Sequence, residues 1–185
     1  VMLPPDDLWL PETKALPALV VVQQANGLLH FVIVWRRIGR WLQLMDPGVG
    51  RRWVSCDQFT RQLHVHSLPV AIAEWYDWAT SDEAIGILIA RLRRLGASEA
   101  DAMRRVRQTK EQGTWQAMAG LDAAARMVER LTISSGLRRG PQTIRLLENL
   151  LAQAIAGPPG TRPPIPDTYW SVAPTNIQGD VSHVI

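Results

Sequence analysis

Residues 16–59, LPALVVVQQANGLLHFVIVWRRIGRWLQLMDPGVGRRWVSCDQF, decide the fold. β-Branched and aromatic residues crowd this stretch, and turn signals punctuate it at Asn26-Gly27, Gly39 and Asp46-Pro47-Gly48. Apolar runs bounded in this way read as strands, here over residues 19–24, 28–36, 40–45 and 51–54. A three-residue loop, Arg37-Ile38-Gly39, puts Gly39 at the left-handed position such loops need. It pairs Arg36 with Arg40, Val34 with Leu42, Val32 with Leu44 and His30 with Asp46. One face of the hairpin then carries Val32, Val34, Leu42 and Leu44, with His30 and Asp46 at its end. The other carries Phe31, Ile33, Trp35, Trp41, Gln43 and Met45. Both faces are largely apolar, so the hairpin is expected to be covered on both sides.

From Ser55 the period changes to that of helices. Ser55, Ser81, Ser98 and Thr114 are suited to accept hydrogen bonds from helix-starting amides, ahead of helices over residues 56–64, 82–95, 99–111 and 115–131. A shorter helix is expected over 68–78, and Pro141 opens one over 142–156 in the favoured first position. The apolar set Ile85, Leu88, Ile89, Leu92 and Leu95 lies at helical spacing, which predicts a small bundle. The fold class is therefore α+β, an antiparallel sheet over about residues 17–55 followed by a helical region. Three segments follow: a β-rich part at 1–67, a helical part at 68–156 and a proline-rich linker and tail at 157–185. The tail holds Tyr169-Trp170-Ser171-Val172, which reads as a fragment needing a surface to dock on.

The net charge is only +3, though the basic side is almost all arginine, 18 of the 20 cationic residues. These arginines are scattered and alternate with acids further along, without the aromatic-interleaved stripe of a nucleic-acid surface. No nucleic-acid partner is expected. A single cysteine excludes an internal disulfide. No apolar run reaches the roughly 18–20 residues of a membrane-crossing helix, and the proline- and acid-rich start is unlike a signal peptide. A soluble, cytoplasmic chain is expected.

Two polar side chains sit in the apolar sheet. A histidine needs a partner on one ring nitrogen to fix its tautomer, leaving the other as a base toward a nucleophile. Directly opposite strand residues have Cβ atoms about 4.5–5.5 Å apart, close enough for Asp46 to hold His30. The other motifs are weaker. His64 and His66, even with Asp57 or Asp77, fall short of the three or four converging ligands of a metal site. Gly48-Val49-Gly50 lacks the residues that complete a phosphate loop. No cofactor and no metal are expected.

The order Leu16-Pro17-Ala18, His30-Phe31-Val32-Ile33-Val34, Asp46-Pro47, Gly50, Val54-Ser55 and Phe59 resembles the second half of the papain-like bacteriocin-processing cysteine peptidases. Those are the domains at the front of peptide-exporting ABC transporters. The resemblance spans residues 16–63. It implies that His30 acts as base, that Asp46 orients it, and that the partner is a leader peptide cleaved after a double glycine, or the exported peptide itself. It also implies association with the membrane part of a transporter, at the cytoplasmic face of the inner membrane. The family places its nucleophilic cysteine and an oxyanion-binding glutamine before the histidine. Here the only cysteine, Cys56, follows Asp46, and neither Gln23 nor Gln24 takes the glutamine's place. The expected function is thus a peptidase-like domain, incomplete as a protease in this chain. A non-enzymatic interaction or scaffold domain is the alternative, and the resemblance does not reach the helices.

Overall fold

The computed structural model describes residues 4–134, 136–156, 164–175 and 179–184. The fold is α+β and forms two units, divided between Ser67 and Leu68.

The first unit is a four-stranded antiparallel meander: β1 (Ala18–Gln23), β2 (Leu29–Ile38), β3 (Trp41–Asp46) and β4 (Gly50–Ser55), in that spatial order. A short helix, α1 (Cys56–Thr60), follows, and the Ser55 hydroxyl accepts the Gln58 N–H at its start. The β2–β3 register differs from the sequence expectation. The turn has two residues, Gly39 and Arg40, so Ile38 pairs with Trp41 and Arg37 with Leu42. Gly39 takes φ of 57°, the positive φ that hairpin turns with glycine first require. Continued unchanged, that register would put Trp35 opposite Leu44 and turn Val34 and Val32 to the other face. A bulge at Trp35 prevents this: Arg36 pairs with Gln43, but Val34 pairs with Leu44. One extra residue on one strand restores the alternation of faces. Val32, Val34, Leu42 and Leu44 then lie together, each fully buried.

That face is sealed by the lead-in and by α1. The 3-10 turn Asp7–Trp9 brings Leu8 and Trp9 onto it, and the Trp9 ring meets the fully buried Phe59 edge-on at 5.9 Å. The opposite face is not covered as expected. Phe31, Trp35 and Trp53 are 56%, 52% and 44% exposed. Both covering segments are used on the other side of the sheet.

The second unit comprises β5 (Ser67–Ala71), α2 (Ile72–Ala79), α3 (Asp82–Arg94), α4 (Glu99–Glu111), α5 (Trp115–Ser134), α6 (Pro141–Ala156), β6 (Val172–Pro174) and β7 (Asp180–Val184). Ser81 and Ser98 cap α3 and α4, accepting the Ala84 and Asp101 amides. α5 is the centre. Ala117, Ala119, Ala123, Ala124 and Ala125 are all fully buried, and such small side chains let neighbours pack against a helix on most of its sides. The start of the helix expected at 68–78 is instead strand β5, since Pro69 biases Leu68 toward extended backbone and away from a helix. The tail is not a free appendage. Ile165, Val172 and Val181 are fully buried in the helical core, and a three-stranded sheet forms in the order β5-β7-β6. Of the expected extended linker at 157–167, residues 157–163 lie outside the described residues; the remainder is not a free spacer, since Ile165 is fully buried and Asp167 starts a 3-10 turn. Among the described residues no helix is long and apolar enough to cross a membrane.

Phe59→Ala should cost the first unit about 3–5 kcal/mol, the range for emptying a buried aromatic site. Hydrogen exchange at the β2 and β3 amides measures this, with protection of the α5 amides unchanged.

Candidate active site

His30 lies near the start of β2 and Asp46 at the end of β3. The two-residue turn and the bulge together make them diagonal rather than directly opposite, as Val34 pairs with Leu44 and Ile33 with Met45. The contact expected from the sequence forms all the same, with His30 Nε2 2.8 Å from Asp46 Oδ1. Diagonal neighbours on one sheet face remain within reach of long side chains. Asp46 is 7% exposed and His30 24%, so the carboxylate is buried and the ring half-open.

Two groups that the sequence reading did not single out complete the carboxylate's surroundings. The Gly48 N–H donates to Oδ1 at 2.9 Å, which ties the Asp46-Pro47-Gly48 turn to its own first side chain. Arg52 Nη2 lies 3.3 Å from Oδ2. Arg52 was findable in principle: Leu44 pairs with Arg52, so Arg52 shares a face with Asp46, two residues along the neighbouring strand. Burial pushes the Asp46 carboxyl up, but the hydrogen bonds from His30 and Gly48 and the charges of His30 and Arg52 outweigh it. The net position is below the ordinary value of 3.8. At neutral pH the carboxylate is ionised and can only accept. His30 Nε2 therefore carries the hydrogen, and in the neutral ring Nδ1 holds the lone pair. This is a base with a fixed tautomer.

No thiol stands beside it. Cys56 follows Ser55, which pairs with Trp41 at the far end of β3. Asp46 is five residue steps away along that strand, about 17 Å at the rise of a β-strand. Cys56 is partly buried at the start of α1, where its own N–H donates to the Arg40 carbonyl. Among the described residues, Asp46 is the only side chain that bonds His30. His64 and His66 touch edge-on, ring centres 4.4 Å apart, and among the described residues no third potential ligand joins them.

The second unit has its own part-buried polar group. Asp122 Oδ2 accepts from Arg126 Nε and from Ser171 Oγ, each at 2.8 Å. Asp122 and Arg126 are one helical turn apart and legible as a pair. Ser171 is not, because only the docked tail brings it there. On the same hairpin, His183 is 7% exposed, its ring 5.4 Å from that of Trp78. Its Nε2 is buried and has no hydrogen-bond partner among the described residues.

No family model matches the chain, and neither the curated proteins nor the solved structures offer a match.

Two of the shifted groups, Asp46 and His183, predict acid transitions. Asp46 has a folded value below its unfolded one, so its contribution is complete above pH 3.8 and is lost as pH falls through the lowered value. Asp46→Asn should flatten that loss in the first unit, read from the pH dependence of thermal unfolding. His183 is pushed below its ordinary 6.5 by burial and then by the Arg126 charge. Its neutral form suits the folded state, so the second unit should lose stability as pH falls below 6.5. His183→Phe should abolish that dependence, measured at β6 and β7 by hydrogen exchange.

Proposed function

We propose that the first unit is a peptidase-like domain of a peptide-exporting ABC transporter, working at the cytoplasmic face of the membrane. Its partner is the leader peptide of the exported peptide, and this chain alone is not a complete cysteine peptidase. One observation carries the reading: the 2.8 Å contact from His30 Nε2 to a buried, ionised Asp46. A carboxylate fixed by a turn amide and an arginine costs nothing further to arrange when it holds an imidazole. The half-open ring then offers Nδ1 as a base or acceptor to an incoming peptide or thiol.

The second reading, a non-enzymatic interaction domain, is favoured by the distance between Cys56 and this pair. The two readings part on one experiment. A synthetic leader peptide ending in a double glycine and a short cargo is titrated into the chain while the His30 ring signals are followed by NMR. The expected result is a saturable shift at His30, weakened in Asp46→Asn, with the peptide left intact. Cys56→Ala should change neither outcome. A peptide that leaves His30 unmoved sinks the leader-peptide reading. Cleavage that disappears in Cys56→Ala would overturn the assignment of this chain as incomplete.

A further inference from the structure

The meander turns an apolar face to solvent. Cross-strand pairing sets Leu19 beside Ile33 and Ile33 beside Met45, with Phe31 next along β2. Leu19 is 70% exposed, and the half-exposed rings of Phe31, Trp35 and Trp53 each present on the order of 100 Å². A contiguous patch of this size on a soluble domain marks an interaction surface.

Its cations say what kind: Arg51 pairs with Met45 on this side, Arg40 lies over the Trp41 ring, and a third is fixed near the centre. Arg36 lies across the face. Its Nε donates to Gln43 Oε1 at 2.7 Å, and its guanidinium sits 5.7 Å from the centre of the Trp53 ring. Gln43 is itself buried beneath it. The side chain is thus held by a hydrogen bond and a ring, while its terminal nitrogens have no partner among the described residues. A guanidinium fixed in this way presents a fork matched to a carboxylate. No acid on this face can supply one. Between Ala18 and Cys56 the only acidic residue is Asp46, which is on the buried side of the sheet, against five arginines.

Three other occupants fit this face less well. Inserting the face in a bilayer would carry the Arg36 charge into hydrocarbon, at several kcal/mol. Stacking a second copy on it would set arginine against apolar surface with no acid to pair. Strand addition at the β1 edge is obstructed because residues 62–64 already bond there: Gln23 N–H donates to the Gln62 carbonyl and His64 N–H to the Val21 carbonyl. We propose that this face docks an amphipathic helix of another polypeptide, apolar on its contact side and carrying a Glu or Asp that pairs with Arg36. Helix on sheet is the ordinary way an open apolar sheet face is closed. The proposal concerns the face opposite His30 and Asp46, so it stands or falls apart from the peptidase-like reading.

The test uses the whole chain and two synthetic amphipathic helices with one leucine stripe, flanked by glutamates in the first and by lysines in the second. Binding is followed by tryptophan fluorescence and by amide shifts at Ile33, Gln43 and Trp53. The glutamate peptide should bind and the lysine peptide should not. Arg36→Glu, at an exposed position, should weaken the glutamate peptide about tenfold or more, as expected for loss of a charge-assisted pair. It should also gain affinity for the lysine peptide, a reversal that a merely unfolded variant cannot show. Equal binding of both peptides would overturn the proposal. So would uptake on phosphatidylglycerol vesicles in place of the peptide, or a dimer in sedimentation that Trp53→Ser dissolves.

Discussion

The bulge at Trp35 is the constraint on which the first unit depends. A two-residue turn at Gly39-Arg40 fixes the pairing at the tip of the β2–β3 hairpin. Left alone, that pairing would mix the two faces of the sheet. The extra residue shifts the lower half by one position, so four aliphatic side chains gather on one side and the aromatics on the other. The contact between His30 and Asp46 follows from the same shift. It would be lost if the hairpin kept the register of its tip throughout, because the two side chains would then point to opposite sides.

This explains how much of the molecule was legible in the sequence. The four strands, the helix caps at Ser55, Ser81 and Ser98, and the His30–Asp46 neighbourhood follow from local pattern and turn chemistry. The turn length did not, because Gly39 suits a two-residue and a three-residue loop alike. Two departures from the expected register, one in the turn and one at the bulge, left a net shift of two residues, which keeps His30 and Asp46 on one face as diagonal neighbours. The covering of the sheet was not legible either: an apolar pattern on both faces says that both prefer shelter, not which segment provides it. In the second unit, the tail's place in the core depends on pairing between segments about 110 residues apart in sequence (β5 with β7), and no local signal carries that.

The candidate site divides along the same line. His30 and Asp46 stand in the sequence as polar residues in apolar strands. The Gly48 amide and Arg52 complete the carboxylate's shell only once the β3–β4 turn and register are known. Cys56 shows the converse. In sequence it is ten residues from Asp46, but a strand running away from the site separates them. The chemistry available at His30 in this chain is therefore that of a fixed base and acceptor without an adjacent thiol.

The bonds between β1 and residues 62–64 also bear on solubility. β1 reads ALVVVQ, a short, uncharged, β-branched run of the type that propagates cross-β stacking when its edge is free. The main-chain bonds at Val21 and Gln23 cap part of that edge. The other edge of the sheet, β4, carries Arg51 and Arg52 side by side, so two copies meeting edge to edge would bring like charges together. One edge is blunted by its own chain and the other by charge, which lets the unit keep an adhesive face without an adhesive rim.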